Sequence, residues 1–373
     1  MIELKYNNFG KTGCNVSRLG FGAMRLPLTN PDDAASINTD EAVKMLRYAI
    51  DNGVNYVDTA FFYHNGESEK VVGKALKDGY REKTFLATKL PMGEVKAPED
   101  FERILNTQLK KLDTDHVDFY LFHALNEQHW ETVKRFGFIE KMKKAKADGK
   151  IRHMGFSFHD NPEIFTKIVD EYDGCEFCQI QLNYLDVDHQ AGIDGLRYAA
   201  SKGLGVIIME PIRGGRLANP SEDIVSALPE GRTPVENALA FLWDKKEVSL
   251  LLSGMSNFEQ VKQNIESADK FTVGCLTEAE QTQFVKAKKI FDKATLIPCT
   301  GCNYCQPCPN EVLIPEVFSA YNKIGDGDLR SVRAAMPDIE DVINRCVKCG
   351  LCEEKCPQQI KIIEKLRSIN SRF

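Results

Sequence analysis

Residues 84–123 read TFLATKLPMGEVKAPEDFERILNTQLKKLDTDHVDFYLFH. Two short apolar, β-favouring runs, Thr84–Lys89 and Val117–His123, flank a helical pattern over Glu99–Leu112. Strand, helix, strand is the repeating unit of a parallel sheet, whose strands need a long crossover between them. Working outward, the unit recurs. Candidate strands Leu19–Gly22, Tyr56–Asp58, Ile151–Ser157, Phe177–Leu182, Val206–Met209 and Leu250–Ser253 alternate with further helical stretches. Those stretches are Asp40–Asn52, Ser68–Lys77, Thr132–Ala147, Pro162–Tyr172, Ile193–Lys202, Pro234–Asp244 and Phe258–Ser267. Thr39 and Gly53 bracket the first, Asp148-Gly149 closes the fourth, and Pro162 stands at a first-turn position. Eight βα units with nearly continuous apolar strands predict an α/β fold, a (β/α)8 TIM barrel. A doubly wound sheet would carry a Gly-rich phosphate loop after its first strand, and none is present. Ahead of the barrel, Leu4–Tyr6 and Asn15–Ser17 flank Gly10 and Gly13, a hairpin pattern suited to plugging the barrel bottom. Leu276–Lys293 reads as an extra amphipathic helix.

The chain has 373 residues, 43% hydrophobic and 27% charged, which suits one large barrel with a small appendage. A net charge of -6 gives no footing for nucleic acid or an anionic membrane surface. The opening MIELKYNNFG has no apolar signal region, and no stretch is long enough to span a bilayer, so a cytoplasmic protein is expected.

Eight of the twelve cysteines fall in two runs near the end. The first is Cys299-x2-Cys302-x2-Cys305-x2-Cys308-Pro309; the second is Cys346-x2-Cys349-x2-Cys352-x3-Cys356-Pro357. Three thiolates at two-residue gaps wrap three corners of an iron–sulfur cube, and the cysteine before Pro reaches a second cube. Disulfides need an oxidising compartment, and structural zinc takes two separated Cys pairs, so the spacing favours two 4Fe–4S clusters. One cluster would take Cys299, Cys302, Cys305 and Cys356; the other would take Cys346, Cys349, Cys352 and Cys308. The second run follows the bacterial ferredoxin pattern in full; the first departs from it in its last gap. Pro315–Arg345 looks helical, so residues 297–373 resemble an α-helical ferredoxin-like domain following a barrel of residues 1–296. The Cys175-x2-Cys178 pair runs into a strand and not a helix N-terminus, which favours packed thiols over a redox pair.

In a barrel, reactive groups stand at the C-terminal strand ends. Asp58, Lys89 and His123 end successive strands, with Tyr63 one short loop beyond Asp58, in VDTAFFYHNGESE, FLATKL and DFYLFHAL. With LGFGAMRL, GKIRHMGFS and SGMSNFEQVKQN, these segments make residues 1–293 resemble the aldo-keto reductase family. The whole chain resembles the branch of that family carrying a C-terminal ferredoxin-like extension. The resemblance implies an NAD(P)(H)-dependent oxidoreductase that reduces a carbonyl, or oxidises an alcohol, by hydride transfer.

The residues themselves carry that chemistry. Hydride arriving at a carbonyl leaves charge on oxygen and calls for a proton donor. A free phenol, with a pKa of ~10, is a reluctant acid. A neighbouring ammonium stabilises the phenolate. Tyr63 is therefore the expected acid, Lys89 its tuner, Asp58 the lysine's partner and His123 the group orienting the carbonyl. The resemblance further places the nicotinamide carboxamide near Ser157 and Gln181, Met209 against the ring, and phosphates and adenosine along Gly254, Met255, Ser256, Gln260, Gln263 and Asn264. Gln260 stands where many NADP-preferring relatives carry Arg, which leaves NADP or NAD as the cofactor.

Nicotinamides pass two electrons as hydride and iron–sulfur clusters pass them singly. Three roles for the clusters follow: exchange with the substrate or an electron-transfer protein partner, redox sensing, or structure. The competing reading of the whole chain is a ferredoxin-type carrier or sensor whose barrel binds nucleotide without turnover.

Overall fold

The computed structural model describes residues 4–294, 296–322 and 329–373. It opens with a hairpin, β1 (Tyr6–Asn8) antiparallel to β2 (Asn15–Ser17), with Tyr6 opposite Ser17. The first strand thus begins at Tyr6, not Leu4. Pairing register is set from the turn: Gly10–Thr12 forms a 3-10 turn, and Gly13 closes it at φ 75, a left-handed value that glycine adopts freely.

Eight parallel strands then close into a barrel. They are β3 (Leu19–Gly22), β4 (Tyr56–Asp58), β5 (Phe85–Pro91), β6 (Val117–Leu125), β7 (Ile151–Phe158), β8 (Phe177–Gln181), β9 (Gly205–Met209) and β10 (Leu250–Gly254), and β10 pairs back onto β3. Side chains alternate across each strand, so one set faces inward. Tyr56, Phe119, Phe177, Ile207 and Leu250 form the interior cluster, and the hairpin adds Phe9 to it. The Phe9 ring stands 5.1 Å from that of Phe119 and 5.4 Å from that of Phe177. The plug is tight enough to dictate a glycine. A Cβ on Gly205 would fall 2.2 Å from a Phe9 ring carbon. Gly205→Ala is therefore expected to destabilise the barrel by about 1–3 kcal/mol, read as a lower melting temperature. An unchanged melt would mean that Phe9 is free to move aside.

The crossovers are helical. They comprise α1 (Thr39–Asp51), α2 (Ser68–Ala75), α3 (Asp100–Leu112), α4 (Glu127–Arg135), α5 (Phe138–Ala147), α6 (Pro162–Glu171) and α7 (Gly192–Ser201). After the short α8 (Glu222–Val225) come α9 (Pro234–Trp243) and α10 (Phe258–Lys270). In α1, Ala42, Met45, Leu46, Ala49 and Ile50 are buried at helical spacing. The stretch expected as one helix over Thr132–Ala147 is two. The Asn126 side chain caps α4 early by accepting the His129 N–H, and Gly137 at φ 65 breaks the path before α5.

The chain divides into two compact units, Met1–Pro211 with Glu236–Thr277, and Ile212–Val235 with Glu278–Phe373. In the second, α11 (Glu278–Ala294) packs on α8, and Glu280 pairs with Arg232 at 2.7 Å. Further on lie α12 (Ile314–Tyr321), α13 (Leu329–Ala335), α14 (Ile339–Asn344), α15 (Leu351–Glu354) and α16 (Ile362–Asn370). The helical expectation for Pro315–Arg345 thus holds where the chain is described, and residues 323–328 lie outside the described residues. Val317, Phe318, Val332, Ile339, Val342 and Leu366 form the unit's core. Among the described residues no helix is long and apolar enough to cross a membrane.

Candidate active site and cysteine-lined region

Strand β4 ends on Asp58 and β5 carries Lys89 one strand over. Both are buried, and the Lys89 ammonium donates to both Asp58 oxygens, at 2.7 and 2.6 Å, and to the Thr59 carbonyl at 2.9 Å. Burial pulls the Lys89 pKa down and the Asp58 pKa up; the ion pair opposes both. The direction is toward a lysine that releases its proton more readily than a solvated one. The Lys89 ammonium also lies 5.1 Å from the centre of the Tyr63 ring. Outside the barrel wall, Gln108 donates to the Lys89 carbonyl at 2.9 Å and to the buried Glu69 at 2.8 Å, while Thr88 also donates to Glu69 at 2.8 Å. This network fixes the strand that carries the lysine.

Tyr63 opens a tight turn in which His64 and Asn65 both take left-handed φ values of 53. His64 holds that shape: its Nε2 accepts the Leu26 N–H at 3.0 Å, so Nδ1 carries the proton donated to the Ala34 carbonyl at 2.8 Å. The buried Tyr63 ring meets His123 edge-on at 6.0 Å. The Phe62 ring stacks flat on His123 at 4.8 Å. His123 itself precedes an irregularity. The β6–β7 register shifts between Phe122 and Leu125, Ala124 takes φ 54, and Ser157 Oγ accepts the Ala124 N–H at 2.7 Å. A bulge of this kind re-aims the neighbouring side chain.

Histidines crowd this end of the barrel. Burial, then Lys89, His159 and His129, push the His123 pKa well below its usual value, so the ring is neutral near pH 7. Burial also lowers His129 and holds His159 down at about 4. Because these folded values lie below the unfolded value of about 6.5, the unfolded chain takes up protons first as pH falls. The stability contributed by neutral histidine is complete above about pH 6.5 and declines toward pH 4, by roughly 3 kcal/mol for His159 alone. The barrel's melting temperature should therefore drop between pH 7 and pH 5. A flat profile over that range would show that these rings are solvated.

The other expected contacts divide. Gln181 ends β8 and donates to Asp186 at 2.9 Å, and Met209 ends β9 beside Gln179. Gly254, Met255, Ser256 and Gln260 gather at the β10–α10 junction, where the Gln260 side-chain Oε1 accepts the Ser256 N–H at 2.8 Å. Gln263 lies on the exposed face of α10 and donates to Glu259, whereas buried Asn264 donates to Ser253. Sequence reasoning missed Arg25. Its stem runs across Gly254, where a Cβ would stand 3.4 Å away, and its Nη2 is buried with no hydrogen-bond partner among the described residues. A cation unmatched at a strand end beside a helix N-terminus suits an anionic group such as a phosphate. The signal was present in LGFGAMRL as an Arg closing an otherwise apolar strand end.

In the second unit the cysteine runs converge. Cys305, Cys308, Cys346, Cys349 and Cys352 together line one small cavity. Cys299, Cys302 and Cys356 lie close enough to Cys305 to oppose its ionisation, after burial itself. Burial likewise pushes the Cys352 thiol up to about 11. Among the described residues no set of three or more His, Cys, Asp or Glu converges tightly enough for a single metal ion. Cys175 and Cys178, by contrast, are buried, Cys175 is pushed up to about 12 by that burial, and both are packed thiols.

A buried tyrosine, an ammonium beside its ring and a neutral imidazole gather at one barrel mouth, a set that suits hydride chemistry at a carbonyl and points to the class of barrel oxidoreductases. Residues 18–274 match the model described as Aldo/keto reductase family, and the chain belongs to that family. Residues 298–361 match a 4Fe-4S dicluster domain. The chain is 29% identical to L-galactose dehydrogenase of Arabidopsis thaliana over 71% of its own length and 88% of that protein. An aldo-keto reductase from Klebsiella pneumoniae, solved in complex with NADP and acetate, is 26% identical with a TM-score of 0.61, covering 76% of this chain and 95% of that one. Aldo-keto reductase AKR11C1 from Bacillus halodurans shares the fold at 24% identity and a TM-score of 0.65, over 76% of this chain and 96% of that one.

Proposed function

We propose that this enzyme reduces the carbonyl of a small molecule, or oxidises the corresponding alcohol, with NADP or NAD. The observation that carries the reading is the buried Lys89–Asp58 ion pair with its ammonium 5.1 Å from the Tyr63 ring centre. A reduced nicotinamide, when bound, supplies the hydride. Tyr63 gives its phenolic proton to the substrate oxygen, and the Lys89 charge stabilises the phenolate left behind. Asp58 holds the ammonium in place. His123, neutral through burial, orients the carbonyl with a hydrogen bond and does not compete as an acid.

Ser157 and Gln181 are the proposed carboxamide contacts and Met209 the ring cover, with Gly254, Met255, Ser256, Gln260, Gln263 and Asn264 along the phosphates and adenosine. Arg25 joins them as a phosphate contact, supported by its unpartnered Nη2. Gln260 offers a neutral amide at the 2′ position, which favours no strong grip on a 2′-phosphate.

The appendage is proposed to hold two 4Fe–4S clusters, one on Cys299, Cys302, Cys305 and Cys356, the other on Cys346, Cys349, Cys352 and Cys308. Two observations support these sets: Cys308 joins Cys346, Cys349 and Cys352 in the lining of one cavity, beside Cys305, and Cys299, Cys302 and Cys356 lie close to Cys305. The clusters, when bound, supply single-electron steps toward the substrate or an electron-transfer protein partner. The family matches stop at residue 274 and resume at 298, in keeping with a domain boundary at 296/297. A cytoplasmic setting, which keeps thiols reduced, belongs to the same proposal.

Anaerobically purified protein should oxidise NADPH or NADH with a panel of small aldehydes, and should contain about eight irons with matching acid-labile sulfide. Nucleotide binding without turnover on any carbonyl would favour the carrier or sensor. Stoichiometric zinc without sulfide would reject the clusters.

A further inference from the structure

We infer that the Thr300 hydroxyl donates a hydrogen bond to a sulfur of the cluster held by Cys299, Cys302 and Cys305, and so sets that cluster's reduction potential. The inference rests on the proposed cluster reading and goes beyond it by naming a residue that is not a ligand. Thr300 is 3% exposed, and its Oγ1 is buried with no hydrogen-bond partner among the described residues. Folded proteins rarely leave a buried hydroxyl in that condition. It lies in the loop immediately after the first cysteine of the run, where the Gly301 N–H already turns back onto Cys299 Sγ at 3.4 Å.

The other buried polar needs of this loop are met internally. The Gln306 side chain donates to the Val312 carbonyl at 2.9 Å and accepts the Cys308 N–H at 3.0 Å. Thr300 is the exception, and a cluster sulfur is the acceptor that the neighbouring cysteines would bring. A hydrogen bond to sulfur stabilises the more negative, reduced cluster more than the oxidised one, which raises its potential.

The test uses the full chain purified without oxygen. T300V keeps the shape and removes the hydroxyl; T300S keeps the hydroxyl. Redox titration followed by electron paramagnetic resonance should show one of the cluster signals moving to lower potential in T300V. The expected change is about tenfold in the reduction equilibrium, or ~59 mV for one electron. T300S should stay near the wild type, and iron and sulfide content should not change in either variant. Coincident T300V and wild-type titrations would overturn the inference. If T300V fails to retain both clusters, T300A is compared with T300S, and equal potentials there overturn it equally. A wild-type preparation without iron or sulfide overturns the cluster reading itself, so the two failures are told apart.

Discussion

Tyr63→Phe is expected to lower kcat by about 10²–10⁴-fold while nucleotide affinity stays nearly unchanged. The ring would remain in place, since it is buried, meets His123 edge-on at 6.0 Å and has the Lys89 ammonium 5.1 Å from its centre. The hydroxyl alone is lost, and its proton is needed only as charge develops on the substrate oxygen. Single-turnover oxidation of bound NADPH, with binding followed separately by fluorescence, divides the two effects. Retention of more than about a tenth of the turnover would move the proton donor elsewhere.

Lys89→Met should damage both stability and turnover. Met fills a similar volume but leaves the Asp58 carboxylate buried without its ammonium partner, a loss of about 3–5 kcal/mol. The stability and the chemistry can be separated. Adding Asp58→Asn removes the stranded charge, and since neutral groups often replace a buried pair at little cost, the double variant should recover most of the melting temperature. It should recover none of the turnover, because the phenolate would still lack a cation. Joint recovery of both would show that Lys89 acts only through packing.

Much of this was legible in the chain. The barrel follows from period: apolar runs alternating with helical stretches leave few other ways to bury both faces of each strand. The placement of Asp58, Lys89 and His123 toward the C-terminal ends of successive strands was readable from the same period. What could not be read is what holds them. The left-handed pair His64 and Asn65 depends on a ring bonded to Leu26 and Ala34, residues distant in sequence. The bulge at Ala124 depends on a hydroxyl one strand away, on Ser157. The break at Gly137 was missed because helical periodicity continues on both sides of it and only the glycine's φ reveals it. Arg25 gains its meaning only when β10 closes onto β3 and brings Gly254 beneath its stem.

Of the eight cysteines in the two runs, seven are partly covered and Cys349 is exposed, on a loop whose Val347 is 64% exposed. A cluster held on that loop, as proposed, would have one open flank. If the proposed cluster forms there, this flank would be the entrance for iron and sulfide during maturation, and delivery would not wait on unfolding of the helices around it. Dioxygen would have the same route. After a brief meeting with air, the cluster on Cys349 would be the first casualty and the first to be rebuilt, leaving its better-covered neighbour in place between the two events.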